Sequence, residues 1–186
     1  MSKIVILTGI PGSGKTSILT ESVALLNREG KQTVFVNFGD VMLETAGVKS
    51  RDEMRKLPQE KQVENQKKAA EKIAKMANKE NVIVDTHCTI KTPSGYLCGL
   101  PEWVLRNLKP NVIVLVEAEP SEIKSRRDSD ETRKRDEETK EDIDAHQKIN
   151  RAAGISYCML TGATMKIIKN RQNKMVDAVK DLAGLF

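Results

Sequence analysis

Aromatic side chains are scarce in this chain of 186 residues. Trp103, Tyr96, Tyr157 and three phenylalanines make up 3% of it, without clustering. Proteins that read single-stranded nucleic acid stack bases on aromatic platforms, so nucleic acid is not expected as the main partner despite a net charge of +5. That charge fits a phosphorylated small molecule as well. The three cysteines, Cys88, Cys98 and Cys158, are odd in number and widely spaced, which excludes a disulfide framework and a CxxC zinc pattern. No apolar run approaches the ~18 residues of a transmembrane helix, so no membrane partner is expected. The first apolar stretch is too short for a secretory signal and runs straight into a glycine-rich motif; the expected location is cytoplasmic. No repeat and no long Gly-, Ser- or Pro-rich linker divides the chain, and its length predicts one domain over residues 1–186.

What the chain does have is alternation. Short β-branched runs occur at Lys3–Thr8, Gln32–Phe38, Asn81–Asp85, Asn111–Glu117 and Met165–Asn170. They are continuously apolar, as in strands buried on both faces. Helical patterns lie between them at Lys15–Arg28, at Ser50–Lys79 with a break at Pro58, at Pro101–Leu108, from Pro120, at Ile143–Ser156 and at Lys174–Phe186. The apolar face of the Ser50–Lys79 region is thin in large groups, which reads as a solvated or partner-facing helix. Thr89–Leu100 reads as a loop. The pattern predicts an α/β fold: a five-stranded parallel sheet flanked by helices. Ligands in such sheets sit beyond the carboxyl ends of the strands.

After the first strand comes Gly9-Ile10-Pro11-Gly12-Ser13-Gly14-Lys15-Thr16, followed by Ser17. This fits G-x-x-x-x-G-K-[ST] between a strand and a helix, the context the motif requires. Its backbone N–H groups curl around phosphate oxygens and the helix N-terminus adds partial positive charge. Lys15 reaches the β- and γ-phosphates, and the Thr16 hydroxyl is a ligand for Mg²⁺. A nucleoside triphosphate with Mg²⁺ is therefore the expected ligand. A GTPase should carry N-K-x-D, but Asn173-Lys-Met-Val-Asp177 has one residue too many. A mechanical ATPase usually has a water-activating Glu beside the strand-end Asp, whereas Thr86 follows Asp85. A small kinase that excludes water is the reading left.

The whole chain resembles the adenylate kinases, specifically the short archaeal, methanogen-type ones. The resemblance rests on the glycine-rich loop together with Val36-Asn-Phe-Gly-Asp40-Val-Met-Leu, Arg51-Asp-Glu-Met-Arg55-Lys-Leu-Pro58 and Val84-Asp-Thr-His87. It continues through Thr92-Pro-Ser-Gly-Tyr-Leu-Cys-Gly-Leu-Pro101, Arg126-Arg, Arg133-Lys-Arg-Asp136, Asn150-Arg151, Thr161-Gly162 and Ile168-Lys-Asn170. It implies the reaction MgATP + AMP ⇌ MgADP + ADP, a helical AMP-binding insertion at 38–80, a short lid at 126–142, and a homotrimer. Two alternatives stay open: a kinase of this fold for UMP, CMP or dTMP, and a non-catalytic ATP-binding switch or RNA-associated factor.

The resemblance also distributes roles. Arg55 would grip the AMP phosphate, the alternative being a solvated charge among Arg51, Lys56 and Lys61. Asp40 would touch the acceptor or cap a helix. Asp85 would hold Mg²⁺-bound water. His87, Lys91 and Tyr96 would line the acceptor side; Lys91 stands where many adenylate kinases have an arginine, and it cannot form the bidentate fork. Arg126, Arg133 and Arg135 would neutralise charge on the transferring group, with Arg127 and Arg151 in second rank. The adenine of ATP would be read by backbone near Thr161–Gly162 and Lys169–Asn170. The lid holds no cysteine, so no structural metal is expected.

Overall fold

The computed structural model describes residues 2–130 and 138–186. Five strands form one all-parallel sheet: β1 (Ile4–Gly9), β2 (Thr33–Asn37), β3 (Asn81–Asp85), β6 (Val112–Glu117) and β7 (Thr164–Lys169), in the order β2-β3-β1-β6-β7. Sequence and structure agree on these strands and on the fold class. The helices are α1 (Lys15–Arg28), α2 (Phe38–Ala46), α3 (Arg51–Arg55), α4 (Gln59–Met76), α5 (Glu102–Leu108), α6 (Pro120–Asp128), α7 (Lys140–Thr161) and α8 (Met175–Ala183).

Central strand β1 shows why the strands are apolar throughout. Ile4 and Ile6 point into a core shared with α4, α5 and α7, and Val5 and Leu7 into a second core beneath α1 and α8. Side chains alternate between the faces of a strand, so a strand covered on both sides cannot afford a polar row.

Several elements differ from the sequence reading, which places no helix at α2. Thr89–Leu100 is not a loop. It holds a two-stranded antiparallel hairpin, β4 (Thr89–Thr92) and β5 (Gly95–Cys98), with Lys91 opposite Tyr96. Strands of four residues around Pro93-Ser94-Gly95 carry more turn signal than strand signal. Gly99 closes the hairpin's root: its N–H donates to the Cys88 carbonyl, and a Cβ there would sit 2.0 Å from the His87 carbonyl oxygen. Nor is α4 a solvated helix. Its Ala69, Ala70 and Ile73 are fully buried against α2 and α5; the small side chains allow the helices to approach closely. Asn65 is buried too, accepting from Thr45 and donating to the Met42 carbonyl.

Helix α7 is longer than expected, beginning with a capping box between Thr139 and Asp142 and ending at Gly162 with φ 74°. Gln147 on this buried face exchanges two hydrogen bonds with the backbone of Ala118, just past β6. The hairpin is fastened to the same helix. Thr89 Oγ1 hydrogen-bonds His146 and donates to Asn150, Tyr157 donates to the Cys88 carbonyl, and the Tyr96 ring lies 4.9 Å from that of His146.

Candidate active site

The glycine-rich loop joins β1 to α1 at the carboxyl edge of the sheet. Gly12 and Gly14 take φ of 88° and 83°, a region where L side chains are strained. Gly14 has a second constraint, since a Cβ on it would meet Asn170 Nδ2 at 2.1 Å. Asn170 Nδ2 donates instead to the Ser13 carbonyl at 2.8 Å, tying the end of β7 to the loop. Ser13 Oγ is fully buried and has no hydrogen-bond partner among the described residues.

The strand ends beside the loop converge. Register places Leu7 opposite Asp85 and Asp85 opposite Asn37. Lys15 Nζ forms a short ion pair with Asp85 and also lies 3.3 Å from the Thr86 carbonyl. The other Asp85 oxygen accepts from Asn37 Nδ2 at 3.0 Å. Asn37 was not singled out from sequence. It caps α2 by accepting from the Asp40 N–H and also accepts from Arg51. The cap is therefore Asn37, and Asp40 lies inside the first turn. The spacing Asn37-x-x-Asp40 between a strand and a helix is the signal that could have revealed this.

On α3, Arg51 and Arg55 are one turn apart and so share a face. Arg51 reaches Asp40 at 2.8 Å and leans over Gly39. Arg55 lies farther out, 74% exposed at its side chain and paired with Asp52. The structure thus brings Arg51, rather than Arg55, to the Asn37–Asp85 cluster. His87 follows β3, two residues beyond Asp85. Removal from water, reinforced by the Lys15 charge, holds its pKa below the usual histidine value. Lys91 and Tyr96 face α7 from the hairpin: Lys91 pairs with Glu138 at 2.8 Å and lies 3.6 Å from Asp142.

Helix α6 packs its arginines against the glycine-rich loop. Arg126 spreads its guanidinium over the Gly12, Ser13 and Asn170 carbonyls at 3.2 to 3.4 Å. Arg127 donates from Nε to the Pro11 carbonyl at 2.8 Å and forms a short ion pair with Glu138. Arg133 and Arg135 lie outside the described residues. Gly162 is a correction. It lies where α7 hands over to β7, whose first residue pairs with Val112 at the amino edge of the sheet. Six strand residues at about 3.3 Å each put it roughly 20 Å from Asn170; the Thr161–Gly162 turn cannot reach a base held at the loop, whereas Lys169–Asn170 can.

Sequence reasoning also passed over Glu117. It is 2% exposed at the end of β6 and accepts from Arg151 Nε and an Arg151 terminal nitrogen at 2.7 and 2.6 Å, and from Lys169 at 2.7 Å. Burial alone raises a carboxyl pKa, but here the hydrogen bonds from Arg151 and Lys169 prevail and hold it below the usual carboxylate value. Arg151 is thereby engaged in the frame of the site.

Mg²⁺ is a hard cation that keeps several waters and usually takes one or two protein oxygens plus substrate phosphates. Thr16 and Asp85 supply oxygens of that kind at the loop. Among the described residues no group of three or more His, Cys, Asp or Glu side chains could hold a metal ion.

An AAA domain family model matches residues 8–144. The chain is 54% identical to the adenylate kinase of Methanopyrus kandleri, with 97% of this chain and 96% of the other covered. It is 52% identical to that of Methanocaldococcus jannaschii over the same shares, and 50% identical to that of Pyrococcus abyssi over 100% and 96%. The chain belongs to the adenylate kinase family. Shikimate kinases from Acinetobacter baumannii and Bacteroides thetaiotaomicron share the fold. They align at TM-scores of 0.59 and 0.60 with 15% and 13% identity, covering 100% and 98% of this chain and 93% and 97% of their own chains.

Proposed function

We propose that this protein transfers the γ-phosphoryl group of MgATP reversibly to AMP, giving two ADP. The observation that carries the reading is the cluster of Lys15, Asp85 and Asn37 where three strand ends meet beside the P-loop, in a chain half-identical to named adenylate kinases over nearly its full length. Residues 9–17 cradle the triphosphate, and Lys15 exchanges Asp85 for the β- and γ-phosphates. Thr16 and Asp85 would hold Mg²⁺, partly through water; when bound it neutralises charge between the phosphates. Asn170 borders the donor base.

Acceptor contacts fall to Asp40, Arg55, His87, Lys91 and Tyr96, and the geometry adds Arg51. His87, whose pKa lies below the usual histidine value, would contact the acceptor. Transfer between phosphate oxygens rests on positioning and electrostatics more than on a strong base. Arg133 and Arg135, with Arg126, would stabilise the transferring group. Residues 38–80 serve as the acceptor-binding part and 126–142 as the lid of one kinase domain.

We read the protein as cytoplasmic; no helix among the described residues is long and apolar enough to cross a membrane. We also read it as a homotrimer. Ile155, Met159 and Leu160 on α7 support self-association, since they are 52%, 83% and 49% exposed and form a patch whose burial would be favourable. Sedimentation velocity tests this, a monomer overturning it. For the activity, ADP formation from MgATP is measured with AMP, GMP, CMP, UMP and dTMP, with a no-acceptor control. Rapid transfer to AMP is expected; preference for another acceptor, or binding without transfer, overturns the reading.

A further inference from the structure

Glu138 has no part in the reaction as described, yet its carboxylate stands between the two nucleotide sites. Oε1 accepts from Lys91 Nζ at 2.8 Å, and Oε2 takes part in the short ion pair with Arg127. Beyond Arg127 lies the P-loop, through the Pro11 carbonyl and the packing of the arginine's methylenes on Gly12. Beyond Lys91 lies the hairpin, pinned to α7 by Thr89, Tyr96 and Tyr157. The Glu138 and Arg127 side chains are only 16% and 9% exposed, so salt screens this pair much less than a surface one. Burial pushes the Glu138 pKa up, but the bonds from Lys91 and Arg127 outweigh it and keep the carboxylate ionised.

We propose that Glu138 is a positioning residue that couples the two sites, carrying the occupancy of the P-loop through Arg127 to Lys91 and the acceptor hairpin. The idea rests on the reading of two adjacent nucleotides. Phosphates in the P-loop bring several negative charges beside the residues on which Arg127 is packed. A carboxylate with one oxygen on each cation keeps both bonds only when Arg127 and Lys91 hold one relative position, so whatever orders Arg127 also orders Lys91. A glutamine cannot replace it, because its amide offers one acceptor and turns a donor toward the other cation.

Such coupling is reciprocal and can be read as a ratio. AMP is titrated calorimetrically into the full-length protein with and without saturating Mg²⁺ and the β,γ-imido analogue of ATP. In the wild type the analogue should tighten AMP by about fivefold or more, within the usual range of such couplings. In Glu138→Gln the ratio should fall to near 1 while the analogue still binds. Asp142→Asn is the control, since Asp142 approaches Lys91 alone of the two cations and Asn preserves the helix cap; it should keep the wild-type ratio. If Glu138→Gln does not fold, Lys91→Met must show the same loss of ratio, whatever its effect on AMP affinity itself. A wild-type ratio near 1, or an unchanged ratio in Glu138→Gln or in its substitute, overturns the proposal. A wild type that neither binds AMP nor phosphorylates it fails the two-nucleotide reading first, and is distinguishable from coupling that fails while both nucleotides bind.

Discussion

Arg151→Met tests the frame behind the donor site. Glu117 is 2% exposed and receives three charged hydrogen bonds, two of them from Arg151. Removing one partner of a fully buried ion pair costs about 3–5 kcal/mol, because a charge stays behind in a dry place. Here Lys169 remains at 2.7 Å, and the Arg151 and Lys169 side chains are 42% and 43% exposed, so the cluster is partly wet and the figure drops to about 2–3 kcal/mol. In a domain of this size each kcal/mol moves Tm by roughly 2–4 °C, giving a fall of about 4–12 °C. Glu117→Gln should cost less, about 1 kcal/mol, because the two half-exposed cations it releases can turn to water. The double variant should be more stable than Arg151→Met alone, since the stranded carboxylate has gone. Urea denaturation of all four proteins at one protein concentration completes the cycle. Additive losses, or a Glu117→Gln variant less stable than Arg151→Met, would refute the argument that the buried carboxylate, not the arginine, is the costly member.

Lys15→Met should lower kcat by about 10³ or more with the fold retained on circular dichroism; unchanged ADP production would remove the P-loop lysine from the reaction. Arg55→Ala and Arg51→Ala should each raise the KM for AMP about tenfold, one charged hydrogen bond lost, and leave that for ATP nearly alone; equal effects on both substrates would exclude the α3 arginines from the acceptor side. Burial holds the His146 pKa low. Its folded value lies below its unfolded one, so the unfolded state takes up the proton first and stability falls as pH drops through about 6.5. His87 shifts in the same direction; His146→Asn should therefore flatten, not abolish, this slope in denaturation midpoints measured from pH ~7.5 to ~5.5, and an identical slope would show that His146 does not titrate as the fold implies.

Much of this protein was determined by local sequence. The loop Gly9–Thr16 carries its own backbone requirements, positive φ at Gly12 and Gly14, so its motif can be recognised without the fold. The five strands are legible because burial on both faces leaves only apolar residues, and their parallel alternation with helices implies where ligands bind. Tertiary structure decided what depends on partners distant in sequence. Ala69 and Ala70 look like an exposed face until α2 and α5 close on them. The hairpin at Thr89–Cys98 takes its place from His146, Asn150 and Tyr157, some 60 residues away, and nothing within its own four-residue strands announces it. Gly162 and Asn170 are eight positions apart in sequence but at opposite edges of the sheet, because a whole strand runs between them. Arg51 and Arg55 share a face of α3, and only Asn37 and Asp40 distinguish them. Glu117 and Glu138 read as ordinary charges in a chain that is 31% charged. They acquire roles from the cations that α7, β7, β4 and α6 bring to them, since an ion pair is a matter of distance in space, which one side chain's identity cannot reveal.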